Sequence, residues 1–460
     1  MDYKFFDPKD VHKIAYVKRM MEYCGLIPGF KERLTANAQE VIDECGFPLT
    51  PEDITFGAPI LERSHARMNP LYPDSAAGLY AEFMENKFLS RDTLALEATP
   101  DNTIMKRWRQ RQIGRCNVVL GAKAAALVHT CMTFELSEGC SVGCKFCGLN
   151  AGKLSDVYKY TEENAQLFKN VCTNALNIIG KAAGRGTLYF ASEPMDNPDY
   201  EKFMHIYREI FGVTPQITTA KAVNNIERLR PLLAEINESQ DVIYRFSALS
   251  EAVVNKLFEE FTPEELILTE VLPQYDDAPS SKFANAGREA VEMGEYGDTI
   301  SCVSGFVVNM CTHKMRLTTP TWSDSEHPTG EIILDTRVFT DADDFADKLN
   351  DMIKKNMINI IGPNDRIRLR EGIELSVKDD NAIVSIERGM EYRLKITDNG
   401  EDVQLYKTLF NTLKKGYNSK REVVAALTAG NDQIIQTDLL YYLINRWWEY
   451  GLIETESGRI

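Results

Sequence analysis

Basic charge is outnumbered in this 460-residue chain: the formal net charge is −16. A surface of that sign repels phosphate backbones and anionic lipid, so neither nucleic acid nor a membrane is an expected partner. No stretch approaches the roughly 18 consecutive apolar residues of a membrane span. The start, Met1-Asp2-Tyr3-Lys4-Phe5-Phe6-Asp7, lacks the basic segment and apolar run of a secretory signal, and a cytoplasmic location is expected. Cysteine is scarce too. Ten residues cannot staple a chain of this length, and none lies beyond Cys311. Yet Cys140, Cys144 and Cys147 crowd into eight positions. In a reducing compartment, clustered thiols point to metal binding or catalysis rather than to bridges.

What is present is ordinary for a folded protein: 44% hydrophobic and 26% charged residues, in a length that suits two or three domains. Residues 1–125 read as mostly helical, with helices over 12–24, 30–45, 77–88 and 103–112 punctuated by Gly25, Pro28, Gly46, Pro48 and Pro51. From about residue 126 short β-branched runs alternate with amphipathic stretches, the pattern of β/α units around a parallel sheet. Six strands are expected, over 131–136, 187–191, 216–220, 242–247, 266–272 and 299–308. Six repeats ending near residue 330 fit a partial (β/α)6 barrel better than a full eight-fold one, which needs about 250 residues. Residues 331–374 read as a linking helix and strand. The segment 375–460, with short strands at 383–387 and 392–396, helices over 403–415, 420–429 and 437–450 and a last strand at 451–453, suggests a winged-helix-like module. The expected fold class is therefore α/β.

The cysteine segment, Ser137-Glu138-Gly139-Cys140-Ser141-Val142-Gly143-Cys144-Lys145-Phe146-Cys147-Gly148, lies just after the first expected strand. Its spacing is Cys-x3-Cys-x2-Cys. A structural zinc site needs four protein ligands, and Cys131, Cys172 or a distant His as the fourth gives no characteristic zinc spacing. A four-iron cluster held by three thiolates leaves one iron open to an external chelating molecule.

This spacing, on a loop after the first strand of a β/α barrel, resembles the radical S-adenosylmethionine (SAM) enzymes. The resemblance implies a 4Fe-4S cluster on Cys140, Cys144 and Cys147, with S-adenosyl-L-methionine as cofactor. Phe146 matches the aromatic that lies near the adenine in that family. Ser192-Glu193-Pro194 falls where the family carries a Gly-Gly-Glu-like motif, which makes Glu193 the implied ligand of the methionyl amine and Ser192 its neighbour. The glycines are absent, and a helix cap is the alternative reading. Thr218, Arg245 and Ser247 resemble the ribose and carboxylate contacts. Gly305, in Val303-Ser304-Gly305-Phe306-Val307-Val308, resembles the stretch whose backbone meets adenine.

The cofactor performs the hard step, and the protein decides which hydrogen is taken and how the resulting radical is quenched. Too few cysteines remain for a second cluster, but Cys302 and Cys311 remain as hydrogen-atom donors. Period-two alternation puts Cys302 on one face with Ser304 and Phe306, and that face is expected to line the barrel. The stretch from Cys302 to Met310, with Arg316-Leu317-Thr318-Thr319-Pro320 and His327-Pro328-Thr329-Gly330, resembles the proteusin-type radical SAM peptide epimerases. These convert L- to D-residues in ribosomally made precursor peptides, a cysteine returning the hydrogen. The C-terminal module resembles elements that bind leader peptides by strand addition, with Trp447 and Trp448 as anchors or as core. The implied partners are a precursor peptide and an electron donor such as flavodoxin or ferredoxin. The alternatives are a splicease that excises a tyrosine-derived fragment, a carbon–carbon cross-linker, or a leader-binding scaffold without catalysis.

Overall fold

The computed structural model describes residues 4–54, 75–281, 283–358, 360–378, 381–386, 392–395, 403–429 and 437–458. Glu387 and Ile396, the ends of two expected strands, lie outside the described residues.

The N-terminal region is helical, as expected, with helices Val11–Leu26, Phe30–Ala36, Ala38–Cys45, Ala76–Glu97 and Thr103–Leu120. The stretch 30–45 is two helices rather than one. Asn37 leaves helical geometry and its side chain accepts the Glu40 N–H, so it caps the second helix at the expense of continuity. Ser75 and Asn102 cap the two long helices in the same way.

Beyond residue 126 the chain is mixed α/β. The strands are β1 (Thr130–Glu135), β2 (Ser137–Glu138), β3 (Asp156–Val157), β4 (Thr218–Thr219), β5 (Tyr244–Ala248), β6 (Thr269–Pro273), β7 (Val303–Asn309), β8 (Lys314–Pro320) and β9 (Glu331–Val338). Helices Glu162–Ile179, Tyr200–Phe211, Ile226–Ser239 and Glu251–Glu260 alternate with them. One sheet runs β1-β7-β8-β9 and another β4-β5-β6. β1 pairs with β7 in parallel, as β5 does with β4 and β6. Thr187 joins the two groups: its carbonyl accepts the Phe134 N–H at 2.9 Å, and it bridges Gln216 in parallel. The described strands do not form a closed barrel.

The expected strand at 187–191 shrinks to that single bridge, because the Thr187 hydroxyl donates to the Tyr189 carbonyl at 2.5 Å and competes with a ladder. The sixth expected strand lies beside the first. β8 and β9 extend this sheet antiparallel, so residues 331–338, expected in a linker, belong to it. Phe134, Phe168, Phe203 and Tyr207 pack edge to face between strands and helices in the main core.

A second core lies in the C-terminal module. The module comprises β10 (Arg366–Leu369), β11 (Ile373–Lys378), β12 (Asn381–Ile386), β13 (Tyr392–Lys395), β14 (Asn418–Ser419), β15 (Ile453–Thr455) and helices Val403–Lys414, Lys420–Ala429 and Thr437–Glu449, and its core draws on β10, β11, β12, β15 and the three helices. β10, from the expected linker, is the central strand of β14-β10-β15. Trp447 and Trp448 are 0% and 2% exposed, so they are core residues, not peptide anchors. Among the described residues no helix is long and apolar enough to cross a membrane.

The helix Thr103–Leu120 joins the two cores. Its Gly114 lies against the carbonyl of Tyr450, where an added Cβ would sit 2.3 Å from the oxygen. Alanine normally gains about 1 kcal/mol over glycine inside a helix. At Gly114 the sign reverses: Gly114→Ala is expected to destabilise the protein by roughly 1 to 3 kcal/mol. Urea unfolding of the two proteins side by side measures this.

Candidate functional site

The cysteine loop leaves β1 through the β2–β3 pairing, in which Ser137 faces Val157 and Glu138 faces Asp156. Gly139, at φ +80°, makes the turn, and a Cβ there would lie 2.3 Å from the Lys153 carbonyl oxygen. Cys140 then donates its N–H to Gly152 at 2.9 Å and accepts that of Leu154 at 3.2 Å. The N–H groups of Val142 and Gly143 point at the Cys140 sulfur, and Ala151 N–H donates to the Cys147 sulfur at 3.3 Å. Burial, with Cys147 and Cys140 close by, pushes the Cys144 thiol up to about 11.

Arg288 clamps the loop from outside. Its backbone N–H donates to the Cys147 carbonyl at 2.9 Å, and its guanidinium donates to the carbonyls of Cys144 and Ala151. Gly287 has φ +73° and lies against the same carbonyl of Cys147, with its own N–H on Pro328 at 2.7 Å. Phe146 stacks on Phe283, centroids 3.8 Å apart and planes 18° from parallel.

Among the described residues no three His, Cys, Asp or Glu side chains converge on a point that would hold one metal ion. A four-iron cluster asks for something else, because each cysteine binds its own iron. The donor set fits that demand: three thiols on one loop, two of them already receiving backbone N–H groups, the outer-shell bonds that tune cluster sulfur ligands.

Facing the loop is the end of the Thr187 segment. Glu193 is 4% exposed and caps the short turn Pro194–Asp196. Its Oε1 accepts from Thr219 Oγ1 at 2.5 Å and Met195 N–H at 3.0 Å, and its Oε2 from Ala220 N–H at 2.9 Å. The capping role is therefore real, while Oε2 keeps one lone-pair site. Ser192 is half-buried beside it.

Across β4, β5 and β6 the register aligns Thr218, Arg245 and Glu270 in a row, with Ser247 one step along the face of Arg245. These are half-buried, whereas Tyr244, Phe246 and Ala248 turn fully into the core. Tyr189 donates to Thr218 Oγ1 at 2.6 Å. Arg245 Nε meets Glu270 at 3.0 Å, and Lys87 pairs with the other oxygen of Glu270. Burial acts against ionising Glu270, but Lys87 and Arg245 outweigh it and pull its pKa down to about 2.

Cys302 lies one residue before β7. Two-residue alternation does not carry from β7 to Cys302, because the β1–β7 register is irregular between Thr130 and Met132. Ser304 and Phe306 point away into the core, Ser304 bonding His129 at 2.8 Å. Cys302 instead feels Arg245, Tyr189 and Glu331, and burial raises its pKa. Cys311 belongs to another neighbourhood. Burial and the carboxylates of Asp156, Glu138 and Glu135 push it to about 12, beside the base of the cysteine loop. A Cβ at Gly305 would lie 1.9 Å from the Cys131 carbonyl oxygen, so the close approach of β1 already requires glycine there.

Arg288, Glu270, Lys87, Tyr189 and Asp196 carry much of this geometry and belong to no motif. Their partners are distant in sequence, so spacing could not reveal them.

"Uncharacterized protein y4wI" of Sinorhizobium fredii (strain NBRC 101917 / NGR234) is 33% identical over 408 residues, covering 84% of this chain and 79% of that protein. The chain belongs to the y4wI family. No family model matches it, and no solved structure does. Membership of the y4wI family carries no stated reaction.

The Lys87–Glu270–Arg245 chain makes a testable electrostatic claim. Because the folded pKa of Glu270 lies below its ordinary 4.5, its stabilisation is complete above about pH 4.5 and fades as pH falls toward 2. Glu270→Gln is expected to cost roughly 1 to 3 kcal/mol at neutral pH, with the difference from wild type closing across that acid window. Unfolding free energies measured from pH 7 to 2 check it.

Proposed function

We propose that this chain is a radical SAM enzyme with a partial (β/α)6 barrel that epimerises L- to D-residues in a ribosomally made precursor peptide. The observation that carries the reading is the Cys140, Cys144 and Cys147 trio, spaced Cys-x3-Cys-x2-Cys on the loop that leaves the first of a set of parallel strands. With S-adenosyl-L-methionine, a 4Fe-4S cluster held by these three thiolates would supply, on uptake of one electron and release of methionine, a 5′-deoxyadenosyl radical able to abstract an α-hydrogen of the peptide.

The chain's own residues do the rest. Cys140, Cys144 and Cys147 would hold the cluster, and Arg288 keeps their loop closed. Glu193 offers its remaining Oε2 site to the methionyl amine. Thr218, Ser247 and Arg245 present polar groups on one face to the rest of the cofactor, with Arg245 oriented by Glu270. Phe146, stacked on Phe283, gives an apolar edge beside the loop.

Cys302 gives the hydrogen atom of its S–H bond to the peptide Cα radical from the opposite face, and the thiyl left behind regains one electron from the flavodoxin or ferredoxin and one proton from solvent. A hydrogen-atom donor must be a thiol rather than a thiolate, and burial raises the Cys302 pKa, which keeps its proton on at neutral pH. Its neighbours Arg245 and Tyr189 belong to the polar row, whereas Cys311 stands among carboxylates at the base of the cysteine loop, and this favours Cys302 of the two. The C-terminal module takes the leader segment by strand addition. A flavodoxin or ferredoxin supplies the electron.

The test is anaerobic reconstitution, followed by co-expression with short neighbouring precursor genes in D2O. Iron–sulfur absorbance, 5′-deoxyadenosine release and one deuterium per inverted centre are expected. A protein with neither absorbance nor deoxyadenosine is a scaffold, and a product that loses a fragment or hydrogens is spliced or cross-linked. Cys302→Ala is expected to keep forming deoxyadenosine while losing D-residues. Cys140→Ala should lose both, and unchanged epimerisation in Cys302→Ala removes Cys302 as the donor.

A further inference from the structure

Asp196 is the third residue after Glu193, and its side chain is 1% exposed. Both of its oxygens are used. Oδ2 accepts the backbone N–H of Ser141 at 2.8 Å, and Oδ1 accepts the Ser141 hydroxyl at 2.6 Å and the Lys221 ammonium at 2.7 Å. Ser141 is the residue directly after Cys140. Lys221 directly follows Ala220, whose N–H holds Glu193 Oε2, and its own N–H donates to Thr219 Oγ1 at 3.0 Å. Thr219 in turn donates to Glu193. Asp196 and Glu193 thus tie together three chain segments: the cysteine loop, the turn after the Thr187 segment and the end of β4.

From this we infer that Asp196 is the positioning residue of the cysteine loop: by gripping Ser141 it fixes the direction in which Cys140 presents its sulfur before any cluster binds. The inference rests on the proposed cluster site but is separable from it. Arg288 fixes the other half of the loop, through the Cys144, Cys147 and Ala151 backbones. Without Asp196 the Cys140 side keeps its Gly152 and Leu154 backbone bonds and the N–H groups of Val142 and Gly143 on its sulfur, but the tie from Ser141 to the β4 side is lost and the Ser141 N–H loses its acceptor. Asp196 does not touch the sulfur atoms, so its role is geometric. An acceptor oxygen is what it supplies to Ser141, and asparagine can supply one too. Lys221 neutralises the carboxylate and holds it on the β4 side.

The metal-free full-length chain, treated with limiting N-ethylmaleimide, tests this through the labelling rate of each cysteine, read by peptide mass spectrometry. Asp196→Ala is expected to speed labelling of Cys140 roughly three- to tenfold, with Cys144 and Cys147 changing less. Asp196→Asn should stay within about twofold of wild type, and Ser141→Ala, which loses only the hydroxyl bond, should fall between them. In a second measurement, iron and sulfide taken up on reconstitution should drop in Asp196→Ala and recover in Asp196→Asn. The buried Cys24 and Cys172 report folding, because they label only if the core opens. If Asp196→Ala exposes them, Ser141→Ala decides. Wild-type labelling of Cys140 in a folded Asp196→Ala, or in Ser141→Ala where Asp196→Ala unfolds, overturns the inference. A wild-type chain that takes up no iron and sulfide sinks the cluster reading instead, and the labelling rates still settle the grip.

Discussion

The pairing of β1 with β7 is the constraint on which the rest of the site depends. At their crossing the Cys131 backbone fills the volume a side chain at position 305 would need. That contact brings two segments more than 170 residues apart into one ladder, with Glu135 opposite Asn309 at its far end. The cysteine loop follows the C-terminal end of β1, level with Asn309, and Cys302 lies at the other end of the ladder, just before the first residue of β7. Asn309 then locks the loop's root: its amide donates to the Ser137 carbonyl at 3.1 Å and to Glu138 at 2.8 Å, while its own oxygen takes the N–H groups of Cys311 and Thr312. A polar residue that could satisfy only one of these groups would leave buried donors or acceptors unpaired, at about 1 to 3 kcal/mol each.

Local pattern made the alternation of strands and helices readable. Runs such as Tyr244 to Ala248 place aromatic residues at a clear two-residue period, and several of the helices between strands carry capping residues at their starts. The cysteine spacing was equally plain because it is short-range. Where the reading departs from the molecule, a competing local interaction or a distant partner is responsible. Thr187 turns its hydroxyl onto its own segment and leaves a bridge where a strand is expected. A register irregularity uncouples Cys302 from the face of Ser304. Gly305 is required by the close approach of the Cys131 backbone, in a strand whose position no period reveals. The row Thr218, Arg245 and Glu270 exists only through the registers of β4, β5 and β6.

Charge shows the same division between composition and placement. The chain is strongly acidic as a whole, yet the helix Thr103–Leu120 buries Arg109, Arg111 and Arg115. They serve as spacers more than as charges. Arg109 binds the carbonyl of His129 at 2.7 Å just before β1, and Arg115 reaches Thr319 and the Pro320 carbonyl at the end of β8. Arg111 lies 4.5 Å over the Trp448 ring in the other core. A guanidinium offers five donors in a fixed plane, so each of these contacts sets an angle as well as a distance.

That helix therefore acts as a ruler. Gly114 seats it on the Tyr450 backbone with no room for a single methyl group, while Arg115 beside that seat reaches the sheet and Arg111 before it reaches the second core. The distance and angle between the two cores are thus set by one helix and its buried guanidinium groups, not by a tether of exposed chain.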